Sequence, residues 1–137
     1  MIYESIYKKL DRLGVIALIE TNTEAAKSIV GGPMMDLNFD RLRTEDGAVV
    51  IALAHYYEQN GDLCSDPDME IRVWPDRKVA EALTFQMANP PVYTVVYPEP
   101  GMVNPRAKKE LNSFLNTWLR NCINQDHHFT VTEKGGQ

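Results

Sequence analysis

The sequence predicts an α+β domain: an antiparallel sheet of about four to five strands, flanked by an N-terminal helix or two and a long C-terminal helix. Apolar residues recur every three to four positions at the two ends of the chain and every second position between Met35 and Tyr97. These are the helix and strand periods. Turn-forming pairs, Asp46-Gly47, Asn60-Gly61 and Pro75-Asp76, cut the middle of the chain into short runs, as the hairpins of an antiparallel sheet require.

Ile2, Ile6, Leu10, Leu13 and Ala17 lie on one stripe of a helix of about sixteen residues, with Glu4, Lys8, Asp11 and Arg12 turned outward. Thr21-Asn-Thr-Glu24 reads as a capping box opening a short second helix, which Gly31-Gly32-Pro33 ends. Met35, Leu37 and Phe39 then alternate with Asp36, Asn38 and Asp40, the pattern of a half-buried strand. After the turn at Glu45-Asp-Gly47, the run Ala48 to Tyr57 is apolar on both alternating faces and reads as a central strand covered on both sides. Asn60-Gly61 accepts the positive φ angles of a tight hairpin. Beyond it, Met69, Ile71 and Val73 face inward and Glu70, Arg72 and Trp74 outward.

Val79 to Met87 fits either period, and Thr84, Phe85 and the neighbouring hairpins favour a strand. Pro90 to Tyr97 is a strand whose leading prolines suit an edge. Asn104 caps the last helix and Pro105 is its first residue, where a missing amide hydrogen costs nothing. Leu111, Phe114, Leu115, Trp118, Leu119, Cys122 and Ile123 form its apolar stripe. The expected organisation is one domain over residues 1–126 and a flexible tail over 127–137, which has no periodic pattern.

With 137 residues and 44% hydrophobic content, one core suffices. Cys64 and Cys122 lie far apart, and Met-Ile-Tyr-Glu-Ser at the start does not read as a leader, so reduced thiols in a cytoplasmic protein are expected. The longest apolar run, Ala48 to Ala54, has seven residues, against the roughly 20 that cross a bilayer. Nineteen acidic residues against fourteen basic ones, and a pI near 5.1, disfavour direct nucleic-acid binding. Its one candidate is the cluster Arg106, Lys108, Lys109. Phosphate-cradling, nucleophile-elbow and zinc motifs are absent, and the sequence points to a non-catalytic protein without a cofactor.

The richest segment is His55 to Glu70, where five carboxylates, Glu58, Asp62, Asp66, Asp68 and Glu70, fall within thirteen residues. Two uses follow. In the first, Asp62, Asp66, Asp68, Glu70, Arg72 and Trp74 dock a basic protein partner, to which negative charge speeds encounter. In the alternative, Glu58, Asp66, Asp68 and His55 hold a divalent cation for hydrolysis. Asp66, Asp68 and Glu70 have the spacing that opens a calcium loop, but its turning glycine is missing and Pro67 keeps the segment extended.

His55, among apolar residues, reads as a structural histidine, and His127-His128 would need two further ligands to hold a metal. The acidic surroundings of Cys64 oppose its activation. Trp74 is open to two readings: a contact hot spot with Arg72, or core covered by a helix. The first also admits a homodimer through that face.

Ala54-His-Tyr-Tyr-Glu-Gln-Asn-Gly-Asp-Leu63 with Asp66-Pro-Asp-Met69 resembles an uncharacterised bacterial domain carried by phages, plasmids and integrative elements. Met69-Glu-Ile-Arg-Val-Trp-Pro-Asp76, Val79-Ala-Glu81 and Leu111 to Arg120 are similar to the YqiB-like family of small proteobacterial proteins. The resemblance implies a cytoplasmic bacterial accessory protein encoded on a mobile element, with no reaction attached. One such role is inhibition of a host defence or nucleic-acid-handling complex.

Overall fold

The computed structural model describes residues 1–131, the side chain of Leu63 excepted. Three helices, α1 (Ile2–Arg12), α2 (Val15–Glu20) and α3 (Pro105–Asn124), accompany six strands. The strands are β1 (Ala25–Ser28), β2 (Leu37–Glu45), β3 (Ala48–Gln59), β4 (Asp62–Trp74), β5 (Val79–Met87) and β6 (Val92–Val95). They form one antiparallel sheet in chain order. Residues 79–87 are a strand, and the sheet has one strand more than the four to five expected.

The first helix is shorter than the stripe from Ile2 to Ala17 suggests, because Gly14 breaks it at φ +90°. A Cβ at Gly14 would collide with the carbonyl oxygen of Phe129, so the chain crosses itself where only glycine fits. Nor does the capping box open a helix. The Thr21 hydroxyl donates backward to the Ala17 carbonyl at 2.8 Å, closing α2 instead. Residues 25–28 then add to the sheet as the extra strand, β1, beside β2.

The tail expected from His127 onward is also corrected in its first residues. His127 and Phe129 are 4% and 2% exposed, the Phe129 amide donates to the Leu13 carbonyl at 2.7 Å, and its ring meets Phe39 edge-on at 6.0 Å. An aperiodic stretch can be held by a single aromatic anchor, which a search for periodicity does not detect. Residues 132–137 of that expected tail lie outside the described residues.

All three helices cover one face of the sheet. Leu37, Phe39, Ile51, Leu53, Met69, Ile71 and Val73 join Ile6, Leu10, Leu13, Leu115 and Leu119 in one buried cluster. Asn104 caps α3 by accepting the Ala107 amide at 3.0 Å. From α3, Asn112 accepts the Ala82 amide at 2.8 Å, where β5 carries an extra residue against β4. The opposite face has no helix; there Ala48, Val50 and Ala54 of β3 are still buried, at 1%, 0% and 2% exposed, without the covering helices or second layer expected.

Candidate functional site

Side chains alternate across a strand, so register decides which residues share the open face. Asp40 of β2 pairs with Ala52 of β3, and Ala52 with Glu70 of β4. One step along, Asn38, Ala54 and Asp68 form the next row. Because Ala52 and Ala54 are small, the carboxylates on either side stand around a shallow centre.

Asp68 is half-buried and accepts the Tyr56 hydroxyl at 3.3 Å. Burial pushes its carboxyl above the usual carboxylate range, with Glu70 and Asp40 adding repulsion against the Tyr56 bond. Asp40 is shifted the same way by desolvation, but is itself exposed, so the larger consequence falls on Asp68. Among the described residues neither carboxylate has an ion pair.

The lower half of the same face is neutralised internally. Arg43 bonds Glu45 at 2.6 Å, and Arg72 reaches Glu45 at 3.3 Å and Glu81 at 3.1 Å. Tyr97 donates to the buried Glu81 at 2.6 Å. Glu45 is accordingly held below the usual carboxylate range, first by the Arg43 bond. Glu70 meets Arg43 only at 3.8 Å. Trp74 is half-buried, and no helix covers it. The Arg72 and Arg77 guanidinium carbons lie 5.7 and 5.4 Å from its ring centre, a cation–π arrangement that shields the indole with charge.

The acidic cluster read from the sequence is therefore divided. In β4, Asp66 and Pro67 are two residues set against His55 alone, a bulge that shifts the alternation. Asp68, Glu70, Arg72 and Trp74 stay together on the open face. Asp66 instead lines a cavity of about 280 Å³ with His55 and Trp118. Asp62 and Glu58 are exposed near the hairpin tip, where Asn60 and Gly61 take φ of 54° and 83°. Of the alternative cation ligands, Asp66 and His55 share a cavity, while Asp68 and Glu58 lie elsewhere. Among the described residues no three His, Cys, Asp or Glu side chains are placed to hold a metal ion.

His55 is buried, as a structural histidine should be. Its Nδ1 lies 2.9 Å from the Asp36 carbonyl and its Nε2 3.8 Å from Cys122 Sγ, with Trp118 edge-on at 5.4 Å. A thiol beside an imidazole suggests a nucleophile, but burial pushes Cys122 up to about 12, leaving on the order of one thiolate in 10⁵ at pH 7. Beside it His127 bonds Ser28 Oγ through Nδ1 at 2.9 Å. Its own Nε2 is buried without a well-formed hydrogen bond, although the Met35 carbonyl lies near enough to favour the protonated ring. Burial, then repulsion from His55, outweighs that and lowers its pKa.

Sequence reasoning missed Asp40 and Tyr56 as members of the acidic face, and Glu81 and Tyr97 as its anchors. The alternation Asp36/Asn38/Asp40 was the available signal, but only strand register places it beside Glu70.

A one-sided antiparallel sheet with a charged open face and a helix-packed core defines a small α+β domain. The chain belongs to a family described as a domain of unknown function (DUF6908), which matches residues 6–128. No curated protein and no solved structure matches it. Among the described residues, no helix is long and apolar enough to cross a membrane.

Proposed function

We propose that this domain is a non-catalytic binding module whose open sheet face docks a basic segment of a partner protein. One observation carries the reading: Asp68, half-buried beside Asp40 and Glu70, has no ion-pair partner among the described residues in a setting that raises its pKa. A group held at a cost to the fold belongs to function more often than to structure. A lysine or arginine from a partner would complete the row and recover that cost. Trp74 and Arg72 form the rim of the proposed face, with the indole already engaged by Arg72 and Arg77, so the carboxylates carry the docking.

The reading extends to a cytoplasmic accessory protein of bacteria, encoded on a mobile element and directed at a host complex. What supports that extension is the sequence resemblance and the acidic balance of the chain, 19 acidic against 14 basic residues.

The test neutralises the face without changing its shape. Asp40→Asn, Asp68→Asn and Glu70→Gln together should abolish co-purification of the partner from lysate of the native host and leave the fold intact by circular dichroism. Asp62→Asn at the hairpin tip should change little. Undiminished recovery of the same partner by the triple variant would remove the open face from consideration.

A further inference from the structure

The cavity beside the β4 bulge is lined by Asp66, Asn121 and Gln125 and by two methionines, Met34 and Met35, a thiol, Cys122, and an imidazole, His55. The last four are of the kinds that soft metal cations prefer. The His55 ring is already set for such a role. Its Nδ1 hydrogen is engaged by the Asp36 carbonyl at 2.9 Å, which fixes the tautomer and leaves Nε2 as a lone pair, as second-shell partners of metal-bound histidines do. That lone pair stands 3.8 Å from Cys122 Sγ. Metal–sulfur and metal–nitrogen bonds of about 2.3 and 2.1 Å meeting at about 120° would separate two donors by about 3.8 Å.

We propose that this cavity binds a soft monovalent metal cation of the Cu(I) class, held by Cys122 Sγ and His55 Nε2 and completed by a thioether of Met34 or Met35. Monovalence follows from burial. Cys122 and His55 are 1% and 5% exposed, whereas Asp66 of the same cavity is only half-buried and keeps access to water; at the buried pair, one thiolate with one monovalent cation is neutral, which a desolvated position accepts far more readily than net charge. Softness follows from the donor count. Asp66 lines the same cavity, but no third His, Cys, Asp or Glu among the described residues stands where it could hold one ion together with the pair, so the three or four ligands zinc takes are not assembled. A two- or three-coordinate ion needs only the pair and a thioether. On binding, the Cys122 S–H bond is replaced by a metal–sulfur bond, its proton leaves to solvent, and no oxidation state changes. Met34, 41% exposed, stands where the ion would enter.

The experiment uses the full chain carrying Cys64→Ser, because Cys64 is a second, half-exposed thiol. Anaerobic titration with Ag(I), a redox-inert probe, and with Cu(I) against a competing chelator should give one ion per chain and one proton released per ion. Cys122→Ser on that background should weaken binding by at least about 100-fold, the upper end of what loss of an orienting partner alone costs. Met34→Leu with Met35→Leu, at the more accessible side of the cavity, should weaken it by about 10-fold. If Cys122→Ser fails to fold, the methionine pair and the proton count decide. Failure of the Cys64→Ser protein to bind either ion, unchanged affinity in folded Cys122→Ser, unchanged affinity in the methionine variant, or stronger retention of Zn(II) than of Ag(I) would each overturn the proposal.

Discussion

The two faces of the sheet are made by alternate residues of the same strands, yet they answer to different demands. On the helix side, Leu53, Met69 and Ile71 are fully buried and touch α1 and α3 through a continuous apolar cluster. On the open side, Ala52 and Ala54 are ringed by Asp40, Asp68, Glu70 and Tyr56. Burial explains the first set by area removed from water. It cannot explain the second, where desolvation opposes the charge of Asp68. The comparison teaches where to look for function: on the face whose composition the fold does not require.

Substitutions can break that contrast, and the largest effect belongs to the covered face. Leu53→Ala should cost about 2–5 kcal/mol in urea unfolding, the range for a fully buried leucine. Next comes Glu81→Gln, which sits on the open side but anchors Arg72 and Tyr97. It should cost about 1–3 kcal/mol, since the half-buried Arg72 loses one of its two carboxylate partners and Tyr97 its charged acceptor. An effect under about 0.5 kcal/mol there would place Glu81 with the docking carboxylates instead.

The pH dependence sharpens the contrast further. The folded pKa of His127 is lowered from 6.5, so above pH 6.5 the ring is neutral in both states and contributes no slope. Below it the unfolded chain takes the proton first, and stability falls with falling pH until the folded pKa is passed. Asp68 works the opposite way in a more acidic window that begins at 3.8. There the folded chain protonates first, and its contribution to stability rises as pH falls. Urea midpoints between pH 8 and pH 5 should therefore decline, and His127→Gln should reduce the decline.

Much of the fold was legible because it rests on periodicity and turn chemistry. The meander from β2 to β5, the Asn60-Gly61 turn and the Asn104-Pro105 start of α3 all stand where the residues put them. Three features were not legible, and each has a non-local cause. Gly14 breaks the first helix because Phe129 crosses it, β1 joins the sheet instead of forming a helix, and His127 to Phe129 pack through one aromatic ring. The site was read in part. Asp68, Glu70, Arg72 and Trp74 do share a face, but the bulge at Asp66-Pro67 sends Asp66 to the His55 cavity, and no spacing rule in the sequence announces it. Asp40 enters the site only through the register of β2 on β3 and β4.

The smallest effect bears on whether the open-face carboxylates serve something other than the fold. It is the urea-unfolding free energy of Asp68→Asn against the wild type at pH 7. Removing a carboxylate whose pKa burial raises should leave stability unchanged or increase it by up to about 0.5 kcal/mol. A loss of more than about 1 kcal/mol would mean that Asp68 holds the sheet together, and would contradict the account.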